Sequence, residues 1–408
     1  MKRIGILLTI EPTWGGAFQY NLSILEALEA LSKDSVSVVV GYSDTSWLPY
    51  LEQYKFGAVQ VPLGRWGRFF SQLLRYGPMS IRVWRAISPL FHPTVKIIIQ
   101  QKCDLWIFPS QDPWCYLIPV PAIATIHDLM HRYEKRFPEV GNFKEFSWRE
   151  WHYQHTCTFA SAILVDSNIG KQHVVESYSV DASKLHILSF MAPSYLSHGV
   201  FESIDLSEYA IPNKFLFYPA QFWEHKNHKT LLRAVSLLKN ELPDIYLVCV
   251  GSSKNAYRAV CHLIKALELE NNVSILGYVP NATITSLYRK ARALVMPTFF
   301  GPTNIPPLEA MVTGCPVVVS NVYAMPEQTQ GSALLFDPES VEDLIVAIRR
   351  IWVDDELCRT LTEKGLAVAE KWRQEDFNNK LISILNNTLS LSNHMGRLIQ
   401  NDIDHNHL

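Results

Sequence analysis

The feature that most limits how this chain can fold is an alternation that runs along nearly all of it. Short apolar runs of strand length are each followed by a stretch of helical period. Residues 4–10 read as a buried strand, and residues 17–31 as an amphipathic helix with Leu22, Ile24, Leu25 and Leu28 on its apolar side. Strands are expected at 36–40, 105–108, 123–126, 162–165 and 185–188. A second cycle opens with a strand at 215–218, a helix at 229–238 and a strand at 245–250. It continues with strands at 273–276, 294–296, 317–319 and 333–336. Strands that are apolar throughout, separated by helices, predict parallel sheets covered on both faces. Two such series predict two doubly wound α/β domains.

The first domain is expected over residues 1–192 and the second over 193–373. The pattern lapses at 189–206, where Pro193, Ser194, Ser197 and Gly199 appear. A helical stretch at 356–391 is longer than one layer needs. Its last part, about 374–391, is expected to cross back and cover the first domain. The tail, 392–408, reads as polar and disordered, and Asp402 and Asp404 as solvated surface.

Composition excludes several function classes. A formal net charge of −2 gives no global attraction to nucleic acid. The 7 Cys are odd in number and no two are separated by only two residues, which argues against a zinc knuckle or a disulfide framework. A reducing, cytoplasmic setting fits that usage. The first apolar run ends at Glu11 and Pro12, too soon for a signal peptide, and no stretch is long and apolar enough to span a bilayer. Between Leu63 and Cys103 lie Arg65, Arg68, Arg75, Arg82, Arg85, Lys96 and Lys102 with no acid. Trp66, Phe69, Phe70, Leu73, Leu74 and Trp84 are interleaved. Two readings stand side by side: a basic face over a packed core, and a surface for an anionic membrane.

Four places carry chemistry. Gly15 and Gly16 follow the first strand and open a helix, so backbone without Cβ and free helix amides can meet a diphosphate. His127 and Asp128 end a strand; an isolated pair there reads as a satisfied loop histidine, or as a donor to a sugar hydroxyl. His131 tempts a metal reading, but this spacing does not set ligands on one helix face. The run Glu224-His225-Lys226-Asn227-His228 offers a cation to a leaving diphosphate, against the plain reading of a solvated basic turn. The most specific segment runs from Thr298 to Ser320. It reads as strand end, Gly/Pro-rich loop, a helix from Pro306 with Glu309 in its first turn, Gly314 as C-cap, and a buried strand. A carboxylate at Glu309 can accept ribose hydroxyls, where the bland alternative is compensation of the helix dipole.

These residues together resemble a known family. Gly15-Gly16, His127-Asp128, His225-Lys226-Asn227, Pro306 to Met311, Gly314 to Val317 and Pro326-Glu327 look like the family 4 retaining glycosyltransferases of the GT-B fold. The resemblance covers residues 1 to about 390. It implies two Rossmann-like domains facing across a cleft, a nucleotide-diphosphate sugar as donor, no cofactor and no metal. The expected acceptor is a glycan or a lipid-linked saccharide. It implies front-face attack, in which the leaving phosphate oxygen takes the acceptor proton. By residue, it implies sugar contact for His127, diphosphate binding for Lys226 and the Gly15-Gly16 amides, and ribose binding for Glu309. Gly301, Thr303, Asn304, Ile305 and Tyr278 complete the expected donor-binding set. The chain departs from the family twice. Eight residues before Glu309, where the family has a second Glu, stands Gly301; five before Lys226, where it usually has Arg, stands Gln221. Those departures keep a rival open, a catalytically impaired subunit that binds sugar nucleotides. An epimerase on the same fold is a further rival. A phosphorylase lacks context for a pyridoxal Lys, and an NAD oxidoreductase lacks a Gly-x-Gly-x-x-Gly after a strand.

Overall fold

The computed structural model describes residues 1–11, 15–31, 36–63, 74–75, 79–197 and 204–405, with side chains as far as 391. The chain divides into two compact units. One comprises Met1–Leu129, Ser147–Ser189 and Gln374–Leu408; the other comprises Met130–Phe146 and Phe190–Arg373. The join therefore falls where the apolar pattern lapses. The first unit is not the continuous 1–192 that the sequence suggests, because the segment Met130–Phe146 belongs to the second.

The first unit holds a parallel sheet of β1 (Lys2–Leu8), β2 (Val36–Tyr42), β3 (Gly57–Gln60), β4 (Leu105–Phe108), β5 (Ala122–Thr125), β6 (Ala162–Val165) and β7 (Leu185–Ile187). Their order is β3-β2-β1-β4-β5-β6-β7. The second unit holds β8 (Leu216–Pro219), β9 (Leu247–Val250), β10 (Val273–Ile275), β11 (Ala293–Met296), β12 (Val317–Ser320) and β13 (Ala333–Phe336), in the order β10-β9-β8-β11-β12-β13. In both sheets the order reverses beside the first strand, at β1/β4 and at β8/β11. Ligands of open α/β sheets bind outside the carboxyl ends of the strands at that point.

The central strands β4, β5, β6, β9, β11 and β12 are buried at every residue, as strands covered on both faces must be. Gly5 on β1 is paired with Trp106 on β4, and a Cβ there would come within 2.4 Å of the indole. A glycine in mid-strand thus makes room for one of the 11 Trp; Trp47, Trp84, Trp106 and Trp352 are all fully buried core.

The helical stretch expected at 356–391 is two helices, Asp355–Ala369 and Gln374–His405. The second packs on the helix Gly16–Glu29 of the first unit through buried Phe377, Leu381, Ile384 and Leu385. Each such burial is worth roughly 1.5–3 kcal/mol. Its backbone stays helical to His405, so the tail is not the irregular segment the sequence suggests; the side chains of Asp402 and Asp404 lie outside the described residues.

Candidate functional site

The second unit brings two of the expected motifs together at its switch point. After β8 the chain passes through the 3-10 turn Glu224–Lys226 into the helix His228–Leu238. After the neighbouring β11 it runs through Thr298 to Asn304 into the helix Ile305–Thr313. The two loops are laced together. The Phe299 amide donates to the His225 carbonyl at 2.8 Å, the Thr298 hydroxyl donates to the same carbonyl at 3.3 Å, and the rings of His225 and Phe300 stack at 3.8 Å. Lys226 Nζ then donates to Asn304 Oδ1 at 3.0 Å. Asn304 is the N-cap of the helix carrying Glu309, so the cation, the helix start and the carboxylate form one continuous constellation.

Glu309 is not in the first turn, as the sequence suggests. The helix begins at Ile305, one residue earlier than expected, and Glu309 lies beyond its first turn, only 9 % exposed. Burial pushes its carboxyl up to about 7, partly opposed by the Tyr288 hydroxyl, which donates to Oε2 at 2.5 Å. Oε2 therefore already holds one partner beside any ribose hydroxyl. Tyr195, on the short helix Ser194–Ser197 packed against Ile305–Thr313, has its phenol raised by burial, by Glu309 and by Tyr278. Tyr278 thus lies on the Glu309 side of the constellation, after β10, and is 83 % exposed.

Gly301 adopts φ 100°, a conformation that favours glycine. A Cβ there would come within 2.9 Å of Asn304 Nδ2 and 3.1 Å of the Thr303 backbone carbonyl. A glutamate therefore does not fit this loop as it stands, and the buried side chains of Thr303 and Asn304 occupy the neighbourhood instead. Asn304 is fixed by Gln328, which accepts from its amide at 3.2 Å and donates to its carbonyl at 2.7 Å. The amide at that helix's N-cap is thereby committed within the protein. Gln221 accepts from Trp223 Nε1 at 2.9 Å, and Lys254, after β9, lies over the Trp223 ring at 5.1 Å. The chain thus sets a cation near the position that lacks the family's Arg. Lys254 was missed in the sequence, although it follows a strand end.

In the first unit, Gly15 (φ 60°) is the N-cap of the helix Gly16–Glu29, with open space where a Cβ would stand. His127 and Asp128 follow β5. The Gln111 amide, with its nitrogen donating to the Tyr153 hydroxyl at 2.6 Å, accepts from the His127 amide at 2.8 Å and the Asp128 amide at 3.3 Å. Gln111 therefore sets the His127 turn, a role that only proximity reveals. Burial pushes the His127 imidazole down to about 4, against Asp128 and a backbone hydrogen bond to Pro109 that raise it. It is neutral near pH 7. Asp128 pairs with Arg149 at 3.2 Å. Asp112, whose carboxyl burial lifts to about 7, accepts from Thr9 at 2.7 Å across the β1/β4 switch point. His131 belongs to the second unit and its ring packs on Phe146. Among the described residues no three or more His, Cys, Asp or Glu converge as a metal site.

Of the basic and aromatic stretch, Arg65, Trp66, Arg68, Phe69, Phe70 and Leu73 lie outside the described residues. Trp84 is core rather than surface and donates to the Leu117 carbonyl at 3.0 Å. Arg75 donates to Ser147, and Arg85 to the carbonyls of Tyr116 and Ile118. Arg82, Lys96 and Lys102 are exposed, beside exposed Val83, Leu90 and Phe91. Among the described residues no helix is long and apolar enough to cross a membrane.

Residues 207–368 match the family model described as glycosyl transferases group 1. The chain is 26 % identical over 373 residues to O-antigen chain mannosyltransferase B of Escherichia coli, covering 90 % of this chain and 95 % of that one. It is 24 % identical over 343 residues to O-antigen chain mannosyltransferase RfbU of Salmonella typhimurium, covering 82 % and 87 %. Among solved structures, HepE of Anabaena in complex with UDP and glucose superimposes with a TM-score of 0.74 at 16 % identity, over 95 % of this chain and 100 % of that one. Sucrose-phosphate synthase of Thermosynechococcus elongatus gives 0.74 at 17 % identity, over 96 % and 100 %. At such identities the structural likeness speaks for the fold alone.

Proposed function

We propose that this chain, similar to the glycosyl transferases group 1 and built on a GT-B fold, moves a hexose from a nucleotide-diphosphate sugar to a hydroxyl of a glycan or lipid-linked saccharide. The setting we propose is polysaccharide or lipopolysaccharide assembly, the chemistry in the names of the E. coli and Salmonella relatives. The carrying observation is the constellation at the β8/β11 switch point: Lys226 on Asn304, and Glu309 further along the same helix. A cation and a helix start suit a diphosphate; a buried carboxylate suits the ribose hydroxyls of the same nucleotide.

In this reading Lys226 meets the charge that develops on the leaving diphosphate, and the Gly15-Gly16 turn serves the phosphates. His127, neutral at pH 7, serves the sugar hydroxyls. We propose retention of anomeric configuration and independence from metal. The reading is tested by a thermal-shift screen against GDP-, UDP-, ADP- and dTDP-sugars, followed by transfer assays with glycan acceptors in excess EDTA. Stabilisation by one nucleotide class and EDTA-resistant transfer are expected. Stabilisation without transfer would favour the impaired subunit; free sugar released with no acceptor requirement would favour the epimerase.

We propose further that exposed Arg82, Lys96, Val83, Leu90 and Phe91 give the first unit a peripheral hold on an anionic membrane, at the inner face where a lipid-linked acceptor would lie. Co-sedimentation with vesicles should rise with their anionic lipid content; binding that ignores that content would remove the idea.

A further inference from the structure

We propose that Glu139 is a positioning residue for donor binding: its carboxylate caps the 3-10 turn Glu224–Lys226 from outside and so holds Lys226 toward Asn304. The inference rests on the reading of Lys226 as the diphosphate-binding cation.

Glu139 lies on Met130–Phe146, the segment that follows His127-Asp128 in sequence yet is built into the second unit. Several contacts fix that segment there. Phe137 and Val140 join Phe300 in a small buried cluster. The Arg136 guanidinium lies over the rings of Phe137 and Phe299, at 4.9 and 4.5 Å, and pairs with Glu134 at 3.0 Å. Tyr323 donates to Glu134 at 2.9 Å. The segment thus packs against the same 298–301 loop that stacks on His225.

At its centre Glu139 Oε1 accepts from the Glu224 backbone amide at 2.6 Å and stands 3.4 Å from His225 Nδ1. Glu224 opens the turn, and the residue at the N-cap, Trp223, offers no side-chain hydrogen bond. A turn's first amides need an acceptor, and a local Asp, Ser or Asn normally supplies one. Here Glu139, eighty-five residues away in sequence, supplies it, with the Asn255 side-chain Oδ1 sharing the same amide at 3.1 Å. The Glu139 side chain is only 9 % exposed; Oε1 carries the Glu224 amide and faces His225, while Oε2 is buried without a hydrogen bond. Burial acts to raise its carboxyl, but hydrogen bonds from His225 and its own backbone, with the His225 charge and Asn255, outweigh this and hold it at about 2. It is therefore ionised throughout the neutral range, with its charge at the amino end of the turn. Only His225 separates that end from Lys226, so a shift there swings the ammonium away from Asn304.

The experiment is a double-mutant cycle on the full chain, read as GDP and UDP affinity by calorimetry. Glu139→Ala is expected to weaken the nucleotide that wild type binds by tenfold or more. Glu139→Gln, which keeps the accepting oxygen, should stay within about threefold of wild type. In a Lys226→Ala background Glu139→Ala should cost almost nothing further, because its effect passes through the lysine. A merely structural role would give additive losses, and additivity, or an unchanged affinity in Glu139→Ala, overturns the proposal. If Glu139→Ala does not fold, the cycle is run with Glu139→Gln and Glu139→Asp, and an Asp variant that binds like wild type overturns it, since one methylene less no longer reaches the amide. Failure of wild type to bind any nucleotide would sink the functional reading itself, a result distinct from all of these.

Discussion

Lys226→Ala is expected to lower turnover by about 10²–10³-fold, the usual cost of removing one group aimed at developing charge. The lysine is half-buried, its ammonium donates to Asn304 Oδ1, and its backbone carbonyl accepts from Tyr218 at 2.7 Å. The backbone contact survives the substitution, so the turn and the melting temperature should change little. The loss should therefore appear in kcat with donor saturating, as well as in kcat/KM, because charge on the leaving diphosphate grows toward the transition state. Unchanged kinetics with purified donor would take Lys226 out of the site.

The second large effect concerns Glu309. Its carboxyl, lifted to about 7 by burial, is ionised above that pH and neutral below it. In the proposed role the ionised form accepts the ribose hydroxyls, so donor affinity should fall as pH drops from 8 to 6 and level off above 8. Glu309→Gln keeps an oxygen for the Tyr288 hydroxyl and nearly the same volume, but removes the charge. Hydrogen bonds to a charged acceptor are worth about 1.5–3 kcal/mol, so donor Kd should rise roughly 10- to 150-fold at pH 8. The pH dependence between 6 and 8 should flatten in the same variant. A Gln variant that keeps wild-type affinity and the wild-type pH profile would assign the carboxylate to packing with Tyr288 and Tyr195 alone.

Part of the candidate site's placement was legible in the sequence. Lys226 follows a strand end and Asn304 stands at a helix start, positions fixed by the local period of the chain. Gly314 was readable as a helix end, and it adopts φ 76° there. The strand β3 was not legible. It is four residues long, starts with Gly57, lies at the sheet edge and is mostly exposed, so it carries no apolar run. Glu309 was placed one residue too near the helix start, because Pro306 marks that start only to within a residue and Asn304 is the true cap. For Trp84 the sequence left surface and core open; its indole is buried and satisfied by a carbonyl.

The sequence by itself determined the two parallel sheets, their order of elements and the strand ends that bear chemistry, because backbone hydrogen bonding and burial on both faces leave a periodic trace in neighbouring residues. Only the tertiary structure decided which of those residues meet. The placement of Met130–Phe146 in the second unit, the Glu139 cap on the Glu224 amide, the Gln328 clamp on Asn304 and the Tyr288 hydroxyl on Glu309 all join residues more than twenty positions apart. Such contacts depend on distance and direction in space, and those leave no period along the chain.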